Sequence, residues 1–252
     1  MNKVLEVCVD SVESAIAAER GGADRLELCA NLVIGGTTPT IPFFKAVRKA
    51  VRIPLHVMIR PRYGDFFYTE EELQVMEEEI RAFSSLGAEG VVFGVLTEDA
   101  DLDLTAMRRL KEAAGSMSCT LHRAFDVTRN PARALEDAVS LSMQTILTSG
   151  CRENCMLGIS LLKELQGLSA GRIEIMAGAG LKPEHIDDLH KETGITAFHM
   201  SGKKRVDSPM RYRKQEVHMG LPGISEYERS VCDEAQIRKA CEALSSLTPS
   251  AL

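Results

Sequence analysis

The sequence predicts an α/β chain folded as a (β/α)8 TIM-like barrel, a single domain over residues 1–252 with an irregular segment and a last helix from about residue 202. Three observations lead there. Eight short apolar runs alternate with eight helical stretches, the repeat of that barrel. The alternation never lapses from end to end. The apolar runs also carry charged or soft residues: Glu6 and Cys8, Glu27 and Cys29, His56 and Arg60, His122 and Arg123, and His199. A doubly wound sheet shares the alternation, but both its faces are covered, and an unpaired charge there is costly. A closed barrel gathers such residues around one axis, and barrels of this type place their sites at the C-terminal ends of the strands.

Each element has its own signal. Val4–Val9 reads as the first strand, and Ser11–Arg20 as a helix stopped by Gly21 and Gly22. Arg25–Cys29 is the second strand. The turn-rich run from Gly35 to Pro39 leads into a helix over Ile41–Val51, and Pro54 opens the third strand, which runs to Ile59. Thr69 followed by Glu72 is a capping-box pattern, and Leu73, Met76, Ile80 and Phe83 form one apolar helical stripe. Gly90–Leu96 is the fourth strand, and Asp103 caps a helix over Leu104–Ala114. Cys119–Phe125, Thr145–Ser149, Arg172–Met176 and Ala197–Ser201 complete the strands. Their helices cover Pro131–Leu141, Cys155–Leu165 and Pro183–Lys191. Gly202–Tyr227 reads as irregular before a final helix near Asp233–Leu247.

Composition narrows the function classes. At 44% hydrophobic residues the chain can bury a large core. A net charge of -6 argues against nucleic-acid binding, which needs a basic surface. Aromatic residues are only 5%, with no Trp, which leaves little for base stacking. No apolar run approaches the ~18 residues of a membrane span. The Met1–Lys3 start carries no leader-like apolar region, and the seven cysteines form no even-numbered framework. Reduced thiols in the cytoplasm are the expectation.

The cysteines supply the first candidate site. Residues two apart on a strand share a face, so Glu6 points with Cys8 and Glu27 with Cys29. Adjacent strands lie about 4.8 Å apart. If both faces turn inward, the repeated Glu-x-Cys brings two thiols together at the barrel mouth. Soft thiolates select Cu(I) or zinc, and two of them without a nearby histidine suit Cu(I). Packing is the alternative, since a free cysteine behaves as a small hydrophobe.

The other candidates surround that pair. His122 is a potential general acid or base, with Arg123 turned to the helices or into the loop. Arg60 is a counter-ion candidate for Glu6 or Glu27. A purely architectural ion-pair network would use the same residues. Gly178 and Gly180 after the seventh strand, with Ser201, Lys203 and Arg205 after the eighth, form a candidate anion site. Tight turns with solvated lysines are the plainer reading of it. Cys151 and Cys155 read as loop packing, and His185, His190 and His218 as surface residues.

These segments, taken together, resemble the CutC family of copper homeostasis proteins. The resemblance rests on Glu6 to Cys8, Gly21 to Cys29, Gly35 to Pro39, Met58 to Arg62 and Gly64 to Phe66 in the first third of the chain. It continues through His122 to Asp126, Leu147 to Gly150, Met176 to Gly180 and Ser208 to Arg213. It implies a TIM-like barrel, a cytoplasmic location and a homo-oligomer, a dimer or tetramer. It also implies that Cys8 and Cys29 match the cysteines taken as Cu(I) ligands in animal members. Tyr63 departs from the pattern, where the family usually has Gly.

Two functions remain open at this point. The first is a cytosolic Cu(I)-binding protein in copper homeostasis, with Cys8 and Cys29 as metal ligands. The alternative is a barrel enzyme acting on a small anionic or phosphorylated molecule. Its catalytic set would be Glu27, Arg60, His122 and Asp126. Its substrate-binding set would be Glu6, Arg62, Gly178, Gly180, Ser201 and Lys203. The expected partner is accordingly a copper ion or a small anion, with no nucleic acid and no membrane. A blander third reading is an oligomeric scaffold joined through 202–227.

Overall fold

The eight strands, buried on both faces, close into a ring. The structure, a computed structural model, describes residues 3–248 except 215, 218 and 222, so His218 lies outside the described residues. The strands are β1 (Val4–Val9), β2 (Arg25–Leu28), β3 (Leu55–Met58), β4 (Gly90–Phe93), β5 (Ser118–Leu121), β6 (Thr145–Thr148), β7 (Glu174–Ala177) and β8 (Ala197–Met200). They pair in sequence order and close through a parallel β1–β8 contact. The main core lies outside this ring, between strands and helices, and includes Phe44, Phe83, Phe93, Phe125 and Phe198. Two small apolar clusters fill the inside. Val4, Leu147, Met176 and Ala197 form one, and Cys8, Cys29, Met58 and Val92 the other.

The helices begin where their caps dictate. Ser11 accepts from Ser14 N–H at the start of α1 (Val12–Gly21), and Gly22, at φ 98°, ends it. After α2 (Ile41–Ala50), α3 (Glu70–Ser85) carries the full Thr69–Glu72 capping box, and Asp103 caps α4 (Leu104–Ala114). The remaining helices are α5 (Pro131–Ser140), α6 (Ile159–Ser169), α7 (Ile186–Thr193) and α8 (Glu234–Ser246).

Several sequence expectations need correction. Strand β5 stops at Leu121 rather than Phe125. His122 turns its Nδ1 onto the Ala124 N–H, 3.2 Å away, and caps a 3₁₀ turn over Arg123–Val127. Helix α6 starts four residues later than its pattern suggests, at Ile159 rather than Cys155. The preceding loop brings two glycine backbones together: a Cβ on Gly158 would lie 1.8 Å from the Ser149 carbonyl oxygen. The stretch from 202 is not wholly irregular. β9 (Lys203–Asp207) pairs antiparallel with β10 (Glu228–Cys232). His190 is buried, not on the surface, because its ring lies 2.9 Å from each of two carbonyl oxygens, Ile195 and Thr248.

Candidate functional site

The pleat aims alternate residues of adjacent strands at the axis. Register places Glu6 opposite Arg25 and His199, Cys8 opposite Glu27, and Glu27 opposite His56. The result is a continuous buried chain of polar groups. Arg25 Nε donates to Glu6 Oε2 at 2.5 Å, and His199 Nδ1 lies 2.8 Å from Glu6 Oε1. His199 Nε2 faces Glu27 Oε2 at 3.7 Å, and the Cys29 thiol donates to the same Glu27 oxygen at 3.5 Å. Ligand atoms of Cys8, Glu27 and His199 all lie within 4.8 Å of one another.

Burial and pairing separate the protonation states of these groups. Burial pushes the Glu6 carboxyl up, but Arg25, His199 and His56 outweigh it and hold Glu6 well below the usual carboxylate range. Burial, reinforced by the Glu6 charge, raises Glu27 to about 7 despite His199. Burial disfavours the charged His199 ring, yet Cys8, Glu27 and Glu6 keep it well above its ordinary value. Cys29 is pushed far up by burial and then by Glu27, so it is a protonated thiol. Burial takes His56 down to about 4 and, with the Arg60 charge, His122 down to about 3. Both rings are neutral at pH 7.

Above this chain opens a cavity of about 830 Å³, lined on its floor by Cys8, Glu27 and His199. Cys29 does not line it. The turn at Gly36 roofs that thiol, and a Cβ there would lie 3.4 Å from Cys29 Sγ. The two sulfurs therefore share one apolar cluster, but only Cys8 is open to the cavity.

The structure brings some expected site residues together and separates others. Glu27, Arg60, His122, Gly180, Ser201 and Lys203 line the cavity. Glu6 lies beneath it, fully buried in the ion-pair chain. Arg60 is not the counter-ion of either glutamate. It sits at the end of β3, where Nη1 and Nη2 donate to the carbonyls of Gly35, Gly36 and Gly64. Arg25, level with Glu6, takes that role. Arg62 is half-exposed and pairs with Glu72 and Asp65 away from the cavity. Asp126 is spent on a latch, accepting from Thr148 Oγ1, Ser149 N–H and Cys151 N–H while pairing with Arg123, whose side chain turns into the loop. Gly178 is packed under Leu147 and His199 rather than lining the cavity. Among the residues not assigned a role from sequence, His199 and Arg25 matter most. His199 stood out as a polar residue on strand eight, but its partnership with β1 exists only once the ring closes. Arg25 precedes Glu27 by two, the same spacing that marked the cysteines.

Fold and site together define a (β/α)8 barrel with a buried thiol–carboxylate–imidazole cluster at the C-terminal end of its strands. Residues 3–204 match the CutC family, and the chain belongs to it. A CutC family protein of Bacteroides fragilis is 44% identical over 247 residues, covering 97% of this chain and 98% of the relative. The human protein named copper homeostasis protein cutC homolog is 43% identical over 236 residues, covering 93% of this chain and 86% of its own. A crystal structure of a CutC protein from Streptococcus agalactiae superposes with a TM-score of 0.76 at 31% identity, covering 79% of this chain and 99% of that one. Among the described residues no helix is long and apolar enough to cross a membrane.

Proposed function

We propose that this chain binds Cu(I) at the floor of the barrel mouth and serves copper homeostasis, as the names of its human and mouse relatives describe for those proteins. The observation that carries the reading is the clustering of Cys8, His199 and Glu27 donor atoms within 4.8 Å, with the Cys29 thiol bonded to Glu27. Thiolate sulfur and imidazole nitrogen are the soft donors Cu(I) selects, and a carboxylate is not. Cys8, Cys29 and His199 are therefore the ligand set, and Glu27 assists. Binding must deprotonate the thiols and the charged His199 ring, and Glu27 Oε2 already accepts the Cys29 S–H, which makes it the first stop for that proton. The roof over Cys29 implies that Cys8 is met first. All seven cysteines are free thiols, in keeping with a cytoplasmic setting.

Competition of the reduced protein against a chromophoric Cu(I) chelator tests this. A single tight site is expected, abolished in Cys8→Ser and strongly weakened in Cys29→Ser and His199→Ala. Because protons compete for the same sulfurs, affinity should fall as pH is lowered. Unchanged Cu(I) affinity in a Cys8→Ser, Cys29→Ser double variant would reject the assignment. A homo-oligomer is part of the proposal, supported by the exposed Met210, Tyr212, Met219 and Leu221 between β9 and β10. Sedimentation velocity reads it directly.

A further inference from the structure

Arg60 and His122 form a wall of the cavity that the thiol site does not use. Arg60 is only 7% exposed, yet among the described residues it has no ion-pair partner. Its terminal nitrogens are held by three loop carbonyls, and its Nε has no partner. The Tyr68 hydroxyl, which feels the Arg60 charge, offers no counter-charge, because burial pushes it up to about 12. Phe66 packs against both residues. Its ring centroid is 4.9 Å from the Arg60 Cζ and 4.8 Å from the His122 ring. His122 accepts the Ala124 N–H at Nδ1, so the neutral ring carries its proton on Nε2, and that atom is buried without a partner.

A buried cation without an anion and a buried N–H without an acceptor are both costly. One negatively charged group satisfies both. A third unpartnered atom, Glu27 Oε1, belongs to a residue that lines the cavity, and in its ionised form it accepts and repels the same anion. It calls for a hydroxyl. Leu32, Met58, Leu147 and Leu181 supply an apolar lining for a short carbon chain.

We propose that the barrel mouth binds a small hydroxycarboxylate, with Arg60 and the His122 Nε2–H on its carboxylate and Glu27 Oε1 accepting from a hydroxyl. Neither Arg60 nor His122 is a copper ligand, so the carboxylate end of this site is separate from the proposed copper site, and the two share Glu27.

Calorimetric titration of metal-free, reduced protein tests it, with tartrate and gluconate as probes and erythritol and inorganic phosphate as controls. Saturable binding of a hydroxycarboxylate and none of erythritol is expected. His122→Asn keeps an acceptor for the Ala124 N–H but removes the Nε2 donor. It should weaken binding by about tenfold or more, the loss typical of one hydrogen bond to a charged group. Arg60→Gln should weaken it further. If that variant unfolds because its loop carbonyls lose their donor, His122→Asn alone decides. The Cys8→Ser, Cys29→Ser double variant should lose Cu(I) and retain the carboxylate, which separates failure of one reading from failure of the other. No saturable binding of either probe, equal affinity in His122→Asn, or preference for phosphate overturns the proposal.

Discussion

The barrel interior has two unlike arcs. From β8 through β1 and β2 to β3, it carries the buried Glu6, Glu27, His56 and His199 and the partly buried Arg25. From β4 to β7 it buries Val92, Thr120, Leu147 and Met176, Gly90 has no side chain at all, and the charge is limited to the half-buried Glu174 at the start of β7, which pairs with Arg25 of the first arc. The contrast shows how a protein keeps charge in its core. On the charged arc every carboxylate has a cationic or thiol neighbour, so the desolvation cost is offset within one chain of contacts. The neutral arc makes room for it. A Cβ on Gly90 would lie 2.6 Å from the His56 ring. Such networks add little net stability, but they hold donor atoms in one arrangement, and Cys8 and Glu27 stand at the upper end of this one.

The difference between the arcs can be broken at several points. Glu6→Ala should be the most damaging change, because it leaves Arg25 and His199 buried without their shared partner. A loss of about 3–5 kcal/mol is expected from urea denaturation. Gly90→Ala should cost about 1–3 kcal/mol by driving a methyl group into His56. Most of that cost should vanish in a His56→Ala background, a coupling that a double-mutant cycle reads.

Acid should act through the same residues. His56 and His122, lowered to about 4 and 3 from 6.5, take up protons in the unfolded chain but not in the folded one between pH 6.5 and 4.5. Glu27, raised to about 7 from 4.5, does the reverse. His199, raised in the fold, is protonated in both states over most of this window and changes little there. Two protons favour unfolding and one favours folding, so these groups should lower stability by about 1.4 kcal/mol for each pH unit the solution is acidified across the window. In His122→Asn that slope should flatten toward zero. The smallest effect is expected on the neutral arc. Thr120 Oγ1 is buried without a partner, so Thr120→Val, nearly isosteric, should leave stability within about 1 kcal/mol of the parent or raise it. A large loss there would mean that the two arcs are not as different as their contacts indicate.

Much of this was legible in the chain. The Glu-x-Cys repeats placed Glu6, Cys8, Glu27 and Cys29 on inward faces, because side-chain direction alternates along a strand whatever surrounds it. His122 and Arg60 were legible as polar residues at strand ends. Their partners were not. Asp126 read as part of the alternative catalytic set, yet the 3₁₀ turn swings it onto the Ser149 backbone. Arg62 read as part of the substrate-binding set, but beyond Met58 the chain has left β3, and Arg62 turns to Glu72 and Asp65.

The sequence by itself determined the alternation of strands and helices, the helix caps and the inward set on each strand, because these follow from local geometry and the pairing of neighbours. The tertiary structure alone decided that His199 meets Glu6 and Glu27, that Arg25 rather than Arg60 balances Glu6, and that Gly36 covers Cys29. The His199 contacts join the two ends of the chain and depend on the stagger at which the ring closes, while the others depend on strand register and the path of a loop, neither of which local pattern fixes.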